Sequence, residues 1–401
     1  MSFLKAGALG WLAQLRQTHF ETKLLMKLFF TGPEFVLNGV SRPEIPFLVD
    51  GDMEMVSAPN QYLRYIATVK GRTRSERTWE TYGNHLYEFF AFLEDNDLKW
   101  DTVSKSQVAA WRDAMLERNC ARSTTNQRLR CVHAFYEWAM KYGITHAVPF
   151  STEDIWVSKP QGFLAHVDAS GGRFEANELT VQTHKPMPQY LHMDQAIRFL
   201  EAMTPHRLKL MGYLALLTGM RREEVVGLDY RVVPNPSGYN SDKQLPMILD
   251  TTKTPTKGNK TRTVMLPYDL AVALWDYFSR DWIKLNAIYK RKHGKETTRL
   301  FLSMAGEELS IRYLNNAFAK VSAKTGINCH PHLLRHTFGT YELLRMLHKK
   351  GEKLALMWVM DRMGHSSITT TEKYIHAVDL IQHDDVDGYQ ADVCEALRRG
   401  N

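Results

Sequence analysis

Between Pro149 and Pro188 the chain loses its helical and strand periodicity. The stretch carries Pro160, Pro186, Gly162, Gly171 and Gly172. A connection of this length inside one compact core is uncommon, so it predicts a boundary between two separately packed units. The length of 401 residues agrees, because single cores stop growing beyond roughly 250–300 residues. The expected division is an N-terminal extension over 1–52, a helical domain over 53–145, a linker over 146–186, a mixed domain over 187–385 and a C-terminal tail over 386–401.

On the N-terminal side the opening reads as a helix around Trp11 to Phe30. A loop punctuated by Gly32, Pro33, Gly39, Pro43, Pro46 and Gly51 follows. From Asn60 to Lys141 the pattern is helical: Trp79, Tyr82, Leu86, Phe89, Phe90 and Leu93 recur at three- and four-residue steps and mark one apolar face. Ser104 and Ser123 stand where N-cap oxygens would start two further helices. The second of these helices would expose Arg122, Arg128 and Arg130. Alone, those arginines read as a solvated helix face. They become a surface for a polyanion if the rest of the chain demands one.

A different pattern follows the boundary. Asp194–Met203, Leu208–Leu217, Leu270–Tyr289, Arg335–Leu347 and Lys353–Met363 read as helices, with Gly351 and Gly364 placed to end the last two. Met247–Asp250 and Arg262–Leu266 read as short strands. They flank Thr256-Lys257-Gly258-Asn259-Lys260, whose Gly-Asn pair signals a β-hairpin. The fold class expected is mainly α with a small β-sheet. The tail through Val386, Val393, Ala396 and Leu397 reads as a helix that docks either on a neighbouring protomer or on its own domain.

Charge narrows the partners. Lys plus Arg number 51 against 44 Asp plus Glu, a formal net charge of +7. A modest cationic excess favours a polyanion, since basic side chains on a phosphate backbone release its condensed counterions. Cys120, Cys131, Cys329 and Cys394 show no CxxC spacing, which argues against a disulfide framework or a cysteine zinc site. Met1–Leu12 is apolar but has a single Lys and no small-residue cleavage site. No apolar run is long enough to cross a bilayer. A soluble intracellular protein with no membrane contact is expected.

Three segments carry side chains suited to chemistry. In Leu217-Thr218-Gly219-Met220-Arg221-Arg222-Glu223-Glu224-Val225, a continuous helix would put Leu217, Arg221, Glu224 and Val225 on one mostly apolar face. A guanidinium there is costly to bury unless it is paired or aimed at an anion, so Arg221 either pairs with Glu224 or meets a ligand. In His330-Pro331-His332-Leu333-Leu334-Arg335-His336, the i, i+4 histidines lack the Glu that a zinc protease needs after the first of them. An Arg and a His one turn apart can instead give one phosphodiester a clamp and a proton acceptor, or serve only as a histidine-rich helix start. In Met363-Gly364-His365 and on to Tyr374, a glycine-ended helix precedes a loop and a tyrosine.

Taken in order, these segments resemble the tyrosine recombinase (phage integrase) family. Thr218-Gly219-Met220-Arg221 with Glu224 is similar to the family's first arginine box. His332-x-x-Arg335-His336 is similar to its second box, and the step from Gly364-His365 to Tyr374 has the family's spacing to its nucleophile. The Thr-Lys-Gly-Asn-Lys hairpin resembles the family's lysine hairpin and puts that lysine at Lys257, between Lys253 and Lys260. The likeness covers about Pro188 to Leu380 and, less specifically, the helical segment Asn60–Lys141.

The resemblance implies a two-domain DNA clamp, with a helical core-binding (SAM-like) domain and a mixed α/β catalytic domain. It implies an enzyme in which Tyr374 attacks a DNA phosphodiester and leaves a 3′-phosphotyrosine, with integration, excision or resolution of mobile or plasmid DNA as the outcome. Arg221 and Arg335 would grip the non-bridging oxygens, and Lys257 would protonate the leaving 5′ oxygen. His332 would act as acid/base partner, His365 would donate a hydrogen bond to the phosphate, and Glu224 and His336 would support these groups. It implies no cofactor and no metal, double-stranded DNA with a specific site as partner, a homo-tetramer on two DNA sites, and a nucleoid-associated place in a bacterium or mobile element. Two other functions stay open: a type IB topoisomerase-like relaxing enzyme, and a non-catalytic DNA-binding protein on the same scaffold.

Overall fold

The computed structural model describes residues 26–71, 75–157, 172–183, 189–254, 261–365, 371, 374, 378 and 389–399. The chain divides into two compact units, Met1–His184 and Lys185–Asn401.

The first unit opens on an antiparallel β-ribbon. β1 (Lys27–Phe30) pairs with β4 (Pro46–Val49), and β2 (Val36–Leu37) pairs with β3 (Val40–Ser41). The ribbon turns at Asn38-Gly39, both at positive φ (51° and 77°), a dipeptide whose backbone freedom suits a two-residue hairpin turn. This corrects the expected helix where it reaches Phe30, and it replaces the expected loop. The reason is long-range: Leu28 and Leu48 face each other across the ribbon, and Met26, Ile45 and Leu48 are buried in the unit's core, so tertiary packing overrides the local pattern. The rest of that expected helix lies outside the described residues.

Helices α1 (Ser57–Thr68), α2 (Glu76–Asp95), α3 (Lys105–Glu117) and α4 (Arg122–Lys141) follow. On α2 the buried side is Trp79, Gly83, Leu86, Phe89, Phe90 and Leu93, the face that the periodicity marked. Ser104 caps α3 in a reciprocal box with Gln107. Ser123 does not cap α4; the helix starts at Arg122 with Ala121 as N-cap and no side-chain cap bond. Aromatic edges fill the core, with Phe89 and Trp111 ring centroids at 4.9 Å and Tyr62 and Phe135 at 5.6 Å.

Part of the expected linker belongs to this unit. β5 (Thr152–Val157) and β6 (Gly172–Asn177) pair antiparallel. Leu179 is buried, and the Asn126 amide bridges Val181 through both its oxygen (2.9 Å) and its nitrogen (2.7 Å). The α4 arginines do not share one role. Arg128 is half-buried and pairs with Glu88 at 3.2 Å, Arg122 donates to Gln182 O at 3.2 Å, and Arg130 is exposed.

The second unit is built on α5 (Met193–Glu201) and α6 (His206–Thr218). α6 is apolar almost all round and almost wholly buried, the mark of a central helix. A short α7 (Arg222–Val226) follows, then strands β7 (Gln244–Leu249) and β8 (Arg262–Pro267) in antiparallel register. Leu245, Met247 and Leu249 alternate inward from β7, as do Arg262, Val264 and Leu266 from β8.

The expected helix Leu270–Tyr289 is α8 (Tyr268–Tyr277) and α9 (Ile283–His293) joined by a π-helical turn, Phe278–Trp282. Next come α10 (Ile311–Thr325), α11 (Pro331–Lys350) and α12 (Glu352–Met363). α13 (Tyr389–Arg399) closes the described chain. It buries Tyr389, Val393, Cys394, Ala396 and Leu397 within its own unit, and Arg398 pairs with Asp269 through two bonds of 2.8 Å.

Gly219 ends α6 in the left-handed region (φ 64°), and a Cβ there would stand 2.4 Å from the Phe338 ring. Both strain and overlap act against Gly219→Ala, which is expected to destabilise the protein by about 2–4 kcal/mol. Urea denaturation checks this, and a midpoint equal to wild type would show that Phe338 yields freely.

Candidate active site

The expected continuous helix through Arg221 is broken. Gly219 stops α6, and Arg221 becomes the N-cap of α7 with extended backbone. From the first turn of α7, Glu224 folds back: its Oε2 accepts from Arg221 N at 2.7 Å and its Oε1 from Arg221 Nη1 at 3.1 Å. Glu224 is wholly buried, and a carboxylate removed from water needs near-complete compensation.

Arg262 supplies the remainder, Nη1 to Oε1 and Nη2 to Oε2, both at 2.6 Å. This is the fork-on-carboxylate geometry in which two parallel charge-assisted bonds form. Burial pushes the Glu224 carboxyl up, but the bonds from Arg262 and Arg221 outweigh it and leave it below the ordinary carboxylate range.

The same arginines hold the end of α12. Arg221 Nη2 donates to Gly364 O at 2.7 Å, and Arg262 Nε donates to Arg362 O at 3.2 Å. Gly364 lies in the left-handed region (φ 61°), where a Cβ would meet Arg262 Cδ at 2.9 Å, so the close approach requires glycine.

Arg335 comes from α11, whose start is set by Pro331 in the first turn and by His330 Nδ1 accepting from Leu333 N at 3.1 Å. Arg335 is 2% exposed, and its guanidinium donates to Gly219 O and to Met363 O (2.5 Å). Burial first, then the like charge of Arg221, pull it down to about 9, which still leaves it cationic near neutral pH.

His332 and His336 lie one turn apart on α11, with ring centroids at 4.4 Å. His332 is exposed. Desolvation and then Arg335 hold its ring down to about 4. His336 Nδ1 is 2.7 Å from the Tyr374 hydroxyl. The Tyr374 side chain is 2% exposed, and burial pushes its hydroxyl up to about 12, partly opposed by Arg335. His365 stacks nearly parallel to the Tyr374 ring at 6.2 Å, and its Nδ1 meets Thr371 Oγ1 at 2.9 Å.

Arg221, Arg335, His336, His365 and Tyr374 therefore surround one region of the second unit, with His332 beside His336 and Glu224 behind Arg221. Lys257 lies outside the described residues. Among the described residues, no cluster of three or more His, Cys, Asp or Glu side chains could hold a metal ion. Arg262 escaped the sequence reading as a site residue. Its signal was present: it shares the inward register of Val264 and Leu266, and a cation on a buried strand face requires a buried anion.

Burial, then Arg335 and Arg221, hold the His365 ring down to about 3. A histidine depressed in the fold binds its proton more readily unfolded. Its stabilising contribution is therefore present above the unfolded value of about 6.5 and is lost as pH falls from there toward about 3. The melting temperature is expected to fall steadily below about pH 6.5. His365→Asn should flatten that slope; an identical slope in the variant would show that other groups set it.

The "Phage integrase family" model matches residues 189–380, and the "Phage integrase, N-terminal SAM-like domain" model matches residues 60–143. The chain is 26% identical to the tyrosine recombinase XerC of Pediococcus pentosaceus over 331 residues, 81% of this chain and 93% of that one. It is 25% identical to XerC of Escherichia coli O157:H7, over 79% of this chain and 90% of that one.

Among solved structures, it resembles the XerH site-specific recombinase bound to palindromic difH substrate, with TM-score 0.53, 17% identity, and 82% and 84% of the two chains covered. It also resembles a lambda integrase dimer bound to a COC' core site, with TM-score 0.53, 12% identity, and 79% and 76% covered. Those two likenesses bear on the fold. With both domains matched in chain order, this chain belongs to the tyrosine recombinase (phage integrase) family.

Proposed function

We propose that the protein is a site-specific DNA recombinase that breaks and rejoins strands through a covalent bond between Tyr374 and a 3′ phosphate. One observation carries the reading furthest: the Tyr374 hydroxyl sits on His336 Nδ1 at 2.7 Å, in the same region as the Arg221 and Arg335 guanidiniums. The family relationship and the DNA-bound state of the XerH and lambda integrase structures support double-stranded DNA as the partner.

In the proposed step the Tyr374 oxygen attacks phosphorus as its proton leaves, and the bond from phosphorus to the 5′ oxygen breaks. Arg221 and Arg335 offset the charge that builds on the non-bridging oxygens, a contribution often worth several kcal/mol. A hydroxyl pushed up to about 12 is a poor nucleophile until its proton is taken. Two histidines compete for that proton: the family pattern favours His332, and the hydrogen bond favours His336. The family pattern gives protonation of the leaving 5′ oxygen to Lys257, and His365 donates to the phosphate. A phosphodiester is exchanged for a phosphotyrosyl ester, so a second 5′ hydroxyl reverses the step without nucleotide hydrolysis. The finer assembly, a homo-tetramer holding two DNA sites, belongs to the same proposal, as do phosphate contacts from Arg122 and Arg130.

Covalent capture tests this. Wild type and Tyr374→Phe are incubated with fragmented source DNA, the protein is denatured, and linked fragments are sequenced. Adducts from wild type alone, joined at a 3′ phosphate and enriched at one sequence, are expected. Equal adducts from both proteins would remove Tyr374 from the role. Plasmid relaxation without strand exchange would favour the topoisomerase-like function instead.

A further inference from the structure

We infer that Arg262 is a positioning residue for the strand-transfer step, acting on the phosphate through Glu224 and Arg221; the inference rests on the recombinase reading above. Glu224 presents two carboxylate oxygens, and each takes a 2.6 Å bond from Arg262. The same oxygens hold Arg221, through its backbone N–H at 2.7 Å and its Nη1 at 3.1 Å. Arg221 is thus oriented by a carboxylate that is itself fixed by a second guanidinium. Arg262 is 8% exposed and Glu224 is wholly buried, so solvent cannot take over the bonds if one partner is lost.

The register explains why this cation is available. Arg262 starts β8 opposite Leu249 and points inward with Val264 and Leu266. Its Nε also reaches Arg362 O at 3.2 Å, and Gly364 packs against its Cδ. Arg221 Nη2 takes the Gly364 carbonyl two residues further along. Arg262 therefore aligns the first arginine box with the chain leading into His365 from both sides. Its guanidinium is engaged by Glu224 and Arg362, so it orients a group that meets the phosphate and has no contact with the phosphate itself.

Lysine at this position keeps the charge but cannot bridge both carboxylate oxygens. Cleavage is measured in single turnover on a nicked duplex bearing the sequence recovered by covalent capture. The scissile linkage is made once as phosphodiester and once as methylphosphonate, which has no charged non-bridging oxygen. Arg262→Lys is expected to slow phosphodiester cleavage about 10- to 100-fold, the range typical of partners that orient a functional group. DNA affinity stays near that of wild type. On the neutral methylphosphonate the deficit shrinks to within about threefold, because a misaimed Arg221 matters less when there is less charge to stabilise.

A deficit of equal size on both linkages would mark a general structural defect and overturn the proposal, as would wild-type rates on both. If Arg262→Ala does not fold, Arg262→Lys and Glu224→Gln carry the comparison. One measurement is independent of DNA chemistry. In ¹⁵N-arginine-labelled protein, Arg221 Nη–H exchange with water should rise in Arg262→Lys, since Nη1 and Nη2 carry its bonds to Glu224 and Gly364. Unchanged exchange would sink the positioning role even if the enzyme is a recombinase. Absence of any wild-type adduct, with faster exchange in the variant, would count against the recombinase reading while leaving the coupling of Arg262 to Arg221 supported.

Discussion

Tyr374→Phe is expected to form no protein–DNA adduct and to lower strand transfer by at least about 10⁴-fold, the scale seen when a covalent nucleophile is removed. The fold should survive the change. Phenylalanine keeps the ring that packs against His365 and fills the same buried volume. What is lost is the hydrogen bond between the hydroxyl and His336 Nδ1 at 2.7 Å. Such a bond contributes about 1 kcal/mol, equivalent to a melting temperature lower by about 2–4 °C in a domain of this size. Loss of activity with a small thermal shift separates chemistry from folding. A variant that retained more than about one hundredth of wild-type transfer would require another nucleophile.

The second large effect is expected at Arg335. Arg335→Met is close in volume, removes the buried charge and leaves the carbonyls of Gly219 and Met363 without these donors. Two opposing terms then meet in the stability. Relief of a desolvated cation favours the variant, and the carbonyls lose bonds whose absence costs about 1–3 kcal/mol each. The net destabilisation should be modest, about 1–3 kcal/mol. Cleavage should fall far more, by about 10²–10³-fold, because a preorganised positive group aimed at developing negative charge is removed. Chemical denaturation and single-turnover cleavage on one preparation test both halves. A large loss of stability with cleavage intact in the folded fraction would make Arg335 a structural strut instead.

Much of the local structure was legible from side-chain spacing. The buried side of α2 is the face marked by Trp79, Leu86, Phe89, Phe90 and Leu93, and Ser104 caps α3 as expected, with Gln107 completing a reciprocal box. The strands flanking Thr256–Lys260 lie within one to three residues of their expected bounds. Gly364 ends α12 in the left-handed conformation, while Gly351, also at positive φ, serves as C-cap of α11 and N-cap of α12 with extended ψ (166°). The misses have different causes. The ribbon over Lys27–Val49 pairs residues far apart in sequence, and a window of neighbouring residues carries no record of that pairing. Ser123 had the right chemistry for a cap, but α4 begins at Arg122, two residues earlier than that cap would set it, and takes Ala121 instead.

The amino-acid sequence by itself determined the helical faces, the boundary between two patterned halves, and the order and spacing of the arginine, histidine and tyrosine segments. These depend on backbone periods and on steps within a few turns of one element. Which side chains meet was decided only by the tertiary structure. The segment offers both His332 and His336, and its spacing to Arg335 favours His332, yet Tyr374, 38 residues beyond His336, comes to His336 Nδ1. Arg221 and Glu224 are neighbours in any helical reading, yet Arg262, 38 residues beyond Glu224, completes the pairing of that carboxylate. Both choices depend on how α11, α12 and β8 pack. Packing is set by the summed burial of many apolar side chains, and no motif of a few residues encodes it.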